Sequence, residues 1–495
     1  MRNRFILALD QGTTGSRAFL FNHKGDIVAT DYQEFTQYFP KPGWVEHDAD
    51  EIWHSIEDVI RGALRKAKIN PKQIAAVGIT NQRETTVLWD RKTSKPKARA
   101  IVWQCRRTTD ICQSLKKYKN IFQKKTGLVL DPYFSGTKIK WLLDNVKGLR
   151  REAQKGRVCF GTVDSWLIWK LTGGASHATD MTNASRTLIF NIRVKTWDKA
   201  LLKILNIPHN ILPQVNNSGS IFGYTASGVA GLPEGIPIAS NLGDQQAALY
   251  GQSCYAPGTV KNTYGTGCFI MCNTGNKLIY SKKGLLTTLA SNDQGQPVYA
   301  LEGAVFIAGA VVQWLRDQLQ IIRNSRDSEK LIRGLKNANG VYFVPAFVGL
   351  GAPYWDANAR GIITGLTRGA NKAHIARAAL ESIAYQTKDV FDIIEQEAEK
   401  KIAELKVDGG AVANDFLMQF QADILGCRII KPRVIESTAR GAAYLAGVTV
   451  GLWKGKGDLV KLNTVDKIFS PRMPAQAAQK LYAGWQEAVT RARSQ

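Results

Sequence analysis

One local pattern occurs twice in this chain, and it limits what the chain can fold into. Residues 8–21 read ALDQGTTGSRAFLF, an apolar run ending in Asp10, a turn of glycine and hydroxyl residues, then Arg17 and a second apolar run. Residues 258–272 read GTVKNTYGTGCFIMC, again a strand, a Gly265-Thr266-Gly267 turn and a strand. One unit opens the 495-residue chain and the other stands near its midpoint. They predict two α/β lobes of similar size, each beginning with a β-hairpin whose turn faces a shared cleft. The segment YGQSCYAPG, residues 250–258, is the predicted junction, giving lobes at 1–252 and 253–495.

Between the hairpins, strand and helix patterns alternate. Asp48 and Glu51 form a capping-box-like start, and Ile52, Ile56, Val59, Ala63 and Ala67 make one helical stripe. Residues 74–80 and 86–90 read as strands, with NQRE in the turn between them. Residues 236–242 read as a buried strand running into Gly243-Asp244 and a helix, QQAALYG. Residues 374–400 read as a long helix with Ile375, Ala379, Ile383, Val390 and Ile394 on one side. Gly361, Gly365 and Gly369 just ahead of it suit either a hinge or close packing. The alternation implies an α/β fold with mixed sheets flanked by helices.

Composition narrows the function classes. No apolar run nears the roughly 20 residues that span a bilayer, and the run before Asp10 is too short for a signal-peptide core. The seven cysteines form no CxxC pair and the six histidines show no metal-ligand spacing. These features predict a cytoplasmic protein with reduced thiols and no membrane insertion. The net charge is +25, but Lys and Arg are spread along the chain rather than gathered in a stripe. The one dense patch, KKYKNIFQKK at 116–125, reads as a solvated helix face. Nucleic acid is therefore not an expected partner; long-range attraction of an anionic substrate is the other reading of the charge.

The opening turn contains neither GxxxxGK[ST] nor a GxGxxG leading into a helix. A tight Gly/Thr turn can still present successive backbone N–H groups as an anion-binding nest. Thr13 and Thr14 would add hydroxyl donors and Arg17 would reach a phosphate. Asp10 at the strand end suits Mg²⁺, which takes few carboxylates plus waters and phosphates. An ordinary hairpin with an Asp-started turn is the plainer alternative. The second turn, YGTG at 264–267, would let two lobes clamp one triphosphate from both sides. A third stretch, VDGGAVAND at 407–415, reads as a strand, a Gly409-Gly410 turn and Asn414 at a helix N-cap, either beside an adenosine or capping alone.

DQGTT at 10–14, NQRETT at 81–86, WQCRRT at 103–108, GDQQAA at 243–248, YGTGCF at 264–269 and DGGAVAN at 408–414 resemble the glycerol-kinase branch of the FGGY carbohydrate kinases. YFSGTKIKWLLDN at 133–145 and GIITGLTRG at 361–369 are similar to the two signature stretches of the wider family. The resemblance runs from about residue 4 to about residue 487. It implies two ribonuclease-H-like domains of the actin and sugar-kinase type, closing around a cleft. It also implies Mg²⁺-dependent phosphoryl transfer from ATP to glycerol in a protein that assembles as a dimer or tetramer.

Carried over residue by residue, the resemblance puts glycerol on Arg83, Glu84, Tyr133, Asp244 and Gln245, with Trp103 and Phe269 as an apolar wall. It puts the nucleotide on Thr13, Thr14, Gly15 and Arg17 from one lobe and on Thr266, Gly309, Gln313, Gly410 and Asn414 from the other. Asp10 and Asp244 would serve the metal. Asp244, at a strand end just before a helix, is the expected general base and doubles as a helix-start residue. Arg83 beside Glu84 offers fixed donors and acceptors to neighbouring hydroxyls; a surface ion pair is the alternative.

Three departures bear on this. Gly15 stands where the family loop more often has Ser, which removes one hydroxyl. Residues 227–237, SGVAGLPEGIP, carry no Lys or Arg, so the fructose 1,6-bisphosphate inhibition of some relatives is not expected. The helix AQAAQKLYAGWQEAV lacks the acid through which some relatives meet a partner protein. Competing readings are another polyol or a ketose as substrate, a non-catalytic two-lobed protein, or a basic nucleic-acid binder.

Overall fold

A computed structural model describes residues 4–356 and 358–494. The first lobe is built on a five-stranded sheet: β1 (Phe5–Gln11), β2 (Gly15–Phe21), β3 (Ile27–Glu34), β4 (Ile74–Asn81) and β5 (Ile238–Gly243). Its order is β3-β2-β1-β4-β5. The β1–β2 and β2–β3 pairs are antiparallel, while β1–β4 and β4–β5 are parallel. Strand β4 is buried along its whole length, as a central parallel strand covered on both faces must be.

Period-2 alternation explains how both faces are covered. Leu7 and Leu9 of β1 pack with Ile52, Ile56 and Val59 of α1 (Ala49–Ala67). Ile6 and Ala8 point the other way, onto Ala439, Ala443 and Leu445. Those residues belong to a helix, Ser437–Thr449, that comes from far down the chain. It meets α2 (Asp244–Gly251) backbone to backbone, since a Cβ on Gly441 would lie 1.9 Å from the carbonyl oxygen of Ala247.

The second lobe repeats the plan. Strands β6 (Val260–Tyr264), β7 (Cys268–Gly275), β8 (Leu286–Ser291), β9 (Pro297–Val305), β10 (Glu404–Asp408), β11 (Arg428–Pro432) and β12 (Val465–Phe469) form one sheet. Its order is β8-β9-β7-β6-β10-β11-β12. The run β9-β7-β6-β10-β11 reproduces β3-β2-β1-β4-β5 in order and direction. Strands β8 and β12 are additions at the edges. The two-fold echo of the sequence is thus a repeat of a ribonuclease-H-like sheet, as the resemblance implied. Helices α3 (Gly309–Asp317), α4 (Lys372–Ala398) and α5 (Asp415–Leu425) flank this sheet.

One local expectation is corrected. Asp48 does cap α1, accepting from the amides of Asp50 and Glu51. Glu51, however, does not close a capping box: its carboxylate takes the Tyr38 hydroxyl at 2.5 Å and the Thr36 amide at 3.1 Å. The strands on either side of NQRE do not pair with each other. Both expected strands are present, and Val87–Asp90 leaves the main sheet to pair with Val158–Gly161. The 116–125 patch is a turn and a helix, Lys119–Thr126, that buries Phe122 and exposes most of its lysines. All seven cysteines are buried and free of disulfides. Among the described residues no helix is long and apolar enough to cross a membrane.

Candidate active site

The site grows from the two hairpin turns. Asp10 is the penultimate residue of β1 and pairs in register with Arg17 of β2. Gly12 N–H bonds to the Gly15 carbonyl at 3.0 Å, which closes the turn between them. Burial pushes the Asp10 carboxyl up to about 7; Arg17 opposes the rise, and the charges of Glu436 and Asp244 add to it. Among the described residues, no protein group donates a hydrogen bond to that carboxylate.

Gly15 has a structural reason beyond the missing hydroxyl. A Cβ there would lie 2.5 Å from the Tyr32 ring and 2.8 Å from the Gln33 carbonyl oxygen. The same Tyr32 ring carries the Arg17 guanidinium at 5.2 Å from its centroid. Arg17 also pairs with Glu436 at 3.3 Å. Thr13 is tied to the apolar wall, accepting from Trp103 Nε1 at 2.9 Å. Thr14 is exposed at the tip.

Trp103 stands edge-on to Tyr133 with ring centroids 5.6 Å apart, and its backbone N–H donates to Thr85 Oγ1 at 3.2 Å. This places the wall against the NQRETT turn. That turn is strained: Glu84 has φ +61 and Thr85 N–H bonds back to the Arg83 carbonyl at 2.7 Å. A positive-φ γ-turn at a residue with a Cβ persists only where its surroundings fix it. Here the Glu84 carbonyl accepts from Ser135 Oγ at 2.9 Å and Lys138 Nζ at 3.3 Å. Lys138 also donates to the Tyr133 carbonyl at 2.6 Å, and burial pulls its amine down to about 7.

Arg83 and Glu84 are both buried, not a surface pair. Arg83 Nε lies 3.0 Å from Asp244 Oδ1. Its terminal nitrogens form a fork on Glu302, at 2.6 and 2.9 Å, and Nη1 also reaches Gln246 at 3.2 Å. Glu84 accepts from Arg186 Nε at 2.7 Å, and Arg186 Nη2 in turn reaches Glu302 at 3.1 Å. The two guanidinium charges hold Glu302 down at about 2 despite its burial. Breaking a buried pair of this kind by removing one partner typically costs about 3–5 kcal/mol.

Asp244 is the first residue of α2, directly after β5. It remains about one-third exposed at 32%. Its two oxygens accept from the Gln245 amide at 2.8 Å and from Gln245 Nε2 at 3.1 Å. Gln245 leads to the second lobe: its Oε1 takes Lys261 Nζ, which also donates to the Phe269 carbonyl at 3.2 Å. The backbone of Phe269 is thereby linked to Gln245 through Lys261.

The second turn is locked to the start of α3. Ala308 N–H bonds to the Thr266 carbonyl at 2.8 Å and Gly309 N–H to the Gly265 carbonyl at 3.0 Å. A Cβ on Gly309 would sit 2.6 Å from that Gly265 oxygen, so only glycine allows the approach. Gln313 is exposed one turn further along α3. The third turn abuts the second, since Gly409 (φ +90) comes so close that a Cβ would be 2.3 Å from the Tyr264 carbonyl oxygen. Gly410 is exposed beside it, and Asn414 caps α5 by accepting from Leu417 N–H at 2.8 Å.

The expected polyol residues thus form one contact path across the cleft, and the expected nucleotide residues surround two turns at its ends. Glu302, Arg186, Lys261 and Lys138 were not anticipated. A signal existed for Glu302, the only charged residue in the apolar run VYALEGAVFI at 298–307; a buried acid needs a partner. Among the described residues no set of three or more His, Cys, Asp or Glu could hold a metal ion. Asp10 nevertheless fits Mg²⁺, being a carboxylate without a donor whose ionisation is resisted, next to a second carboxylate and a phosphate-type turn.

Comparison with known proteins agrees with this geometry. Residues 5–251 match the N-terminal domain of the FGGY family of carbohydrate kinases, and residues 260–450 match its C-terminal domain. The chain is 58% identical to a glycerol kinase of Pseudothermotoga lettingae, covering 99% of both proteins. It is 56% identical to glycerol kinase 2 of Thermotoga maritima, covering 99% of this chain and 98% of that one. Among solved structures, the Plasmodium falciparum glycerol kinase with ADP aligns with a TM-score of 0.92 at 36% identity over 99% of each chain. A xylulose kinase from Lactobacillus acidophilus aligns with a TM-score of 0.89 at 25% identity over 98% of each chain. The chain belongs to the FGGY family of carbohydrate kinases.

Proposed function

We propose that this protein transfers the γ-phosphoryl group of ATP to a terminal hydroxyl of glycerol, giving sn-glycerol 3-phosphate, with Mg²⁺ as cofactor. The observation that carries the reading is the contact path Thr13–Trp103–Tyr133 on one side of the cleft, with Arg83–Asp244–Gln245–Lys261–Phe269 closing the other. It sets charged donors and acceptors against an aromatic wall, which matches a small polyol with hydroxyls on one side and C–H bonds on the other. The high identity to glycerol kinases along the whole chain supports the same substrate.

In this reading the domain at 1–252 carries the glycerol site and the first phosphate turn, and the domain at 253–495 carries the second turn and the adenosine site. Arg83, Glu84, Tyr133 and Gln245 orient glycerol, while Trp103 and Phe269 exclude water that would compete for the phosphoryl group. Asp244 accepts the proton of the attacking hydroxyl; Gln245 and Arg83 hold its carboxylate in place. Thr13, Thr14, Gly15 and Arg17 meet the phosphates from one lobe and Thr266 and Gly309 from the other. Gln313, Gly410 and Asn414 line the nucleoside end. Asp10, with Asp244, would hold Mg²⁺, which when bound neutralises charge on the phosphoryl oxygens. The protein acts in the cytoplasm as a homo-oligomer, with no nucleic-acid partner.

The test is a phosphorylation assay with ATP across glycerol, xylulose and ribulose, with and without Mg²⁺. Magnesium-dependent turnover of glycerol well above the ketoses is expected. A preference for xylulose or ribulose refutes the substrate assignment.

A further inference from the structure

One carboxylate near the cleft is held by two arginines and is not assigned to substrate, nucleotide or metal. Glu302 lies on β9 of the second lobe and is fully buried. Its two oxygens take both terminal nitrogens of Arg83, at 2.6 and 2.9 Å. One of those oxygens also takes Arg186 Nη2 at 3.1 Å. Arg83 and Arg186 belong to the first lobe, so a single second-lobe side chain holds two first-lobe arginines.

The geometry of guanidinium gives this consequence. The group is planar and presents its N–H bonds in a rigid fork. With both terminal nitrogens of Arg83 on Glu302 and Nη1 also donating to Gln246 at 3.2 Å, the plane of the group is set and its Nε side faces Asp244 at 3.0 Å. Arg186 plays the same part for Glu84, giving Nη2 to Glu302 and Nε to Glu84 Oε1 at 2.7 Å. Among the described residues Arg186 Nη1 has no hydrogen-bond partner, so Glu302 and Glu84 supply the directional contacts of a guanidinium that lies over the Tyr133 and Phe134 rings.

We propose that Glu302 is a positioning residue for the glycerol site: it fixes which edge of Arg83 faces Asp244 and, through Arg186, where the Glu84 carboxylate stands. The polyol site is then complete only when strand β9 of the second lobe is seated against the NQRETT turn of the first. The inference rests on the reading that glycerol lies among Arg83, Glu84 and Asp244.

The full-length protein is compared with Glu302→Asp, Glu302→Gln and the charge-balanced double variant Glu302→Gln/Arg186→Met. The readouts are KM for glycerol, KM for ATP, kcat, and glycerol binding by calorimetry without nucleotide. The Asp carboxylate, one methylene shorter, spans only one arginine; KM for glycerol rises about tenfold while KM for ATP stays within about twofold. Glu302→Gln and the double variant lose about 100-fold in kcat/KM for glycerol, the scale set by misplacing a binding group by about 1 Å. In an Arg83→Lys background, Glu302→Gln costs less than it does beside Arg83, because only the route through Arg186 and Glu84 remains.

Glycerol affinity and KM within twofold of the unsubstituted protein in both Glu302→Asp and the double variant overturn the proposal. Equal losses toward glycerol and ATP also overturn it, since they indicate a general structural role. Should Glu302→Gln fail to fold, the other two variants decide. An unsubstituted protein that neither binds nor phosphorylates glycerol overturns the functional reading and this inference with it; unchanged variants of an active protein overturn this inference alone.

Discussion

Asp10→Asn separates the requirements of the site from those of the fold. The Asp10 carboxyl titrates at about 7 in the folded protein, against about 3.9 in an unfolded chain. The folded state therefore holds the proton more tightly, and ionisation weighs against folding. The penalty is absent below pH 4, grows as pH rises through the window between the two values, and levels off above pH 7. A difference of about three pKa units corresponds to about 4 kcal/mol at pH 8 and to about 2 kcal/mol near pH 5.5. Asparagine has the same shape and does not ionise, so the variant should be more stable than the unsubstituted protein by about 2–4 kcal/mol at pH 8 and indistinguishable from it at pH 4. Urea unfolding followed by circular dichroism, without nucleotide or divalent cation, measures the difference at both pH values. In the same variant, Mg²⁺-dependent glycerol phosphorylation should fall by at least about 100-fold. A stability difference that is the same at pH 4 and pH 8, or a destabilised variant at pH 8, refutes the argument that Asp10 is a charge the fold resists and the site needs.

Two further outcomes follow from the geometry. Asp244→Asn should lower kcat by about 10²–10⁴-fold, the usual worth of a general base, while nucleotide binding measured by calorimetry changes little; near-normal turnover removes Asp244 from proton transfer. Gly15→Ser should push the Tyr32 ring away from the turn and from Arg17, destabilising the protein by about 1–2 kcal/mol and raising KM for ATP. Unchanged urea midpoints and KM would mean that the space beside Gly15 is not needed.

The elements that were legible in the sequence are those set by neighbours along the chain. The hairpin at 8–21, the turn at 264–267 and Asn414 at the start of α5 each follow from glycine, hydroxyl or amide residues a few positions apart, and all appear as expected. The two-fold echo was legible because each lobe begins its sheet with the same strand–turn–strand unit. Adjacent letters misled at Glu51, where the spacing fits a capping box but Tyr38 and Thr36 offer better partners. The two strands around NQRE were legible from neighbours along the chain, whereas their belonging to separate sheets was not.

By itself, then, the sequence determined where the Gly/Thr turns, the acid at the end of β1 and the Arg83–Glu84 pair lie, because local backbone conformation is encoded locally. Only the tertiary structure decided what these residues face. The partner of Arg83 lies 219 positions away on the other lobe, and the helix that covers the second face of the first sheet begins at Ser437. No periodicity reports such pairings. They are selected by the need to neutralise buried charge and to cover apolar surface, and those needs are met wherever the folded chain brings a suitable group.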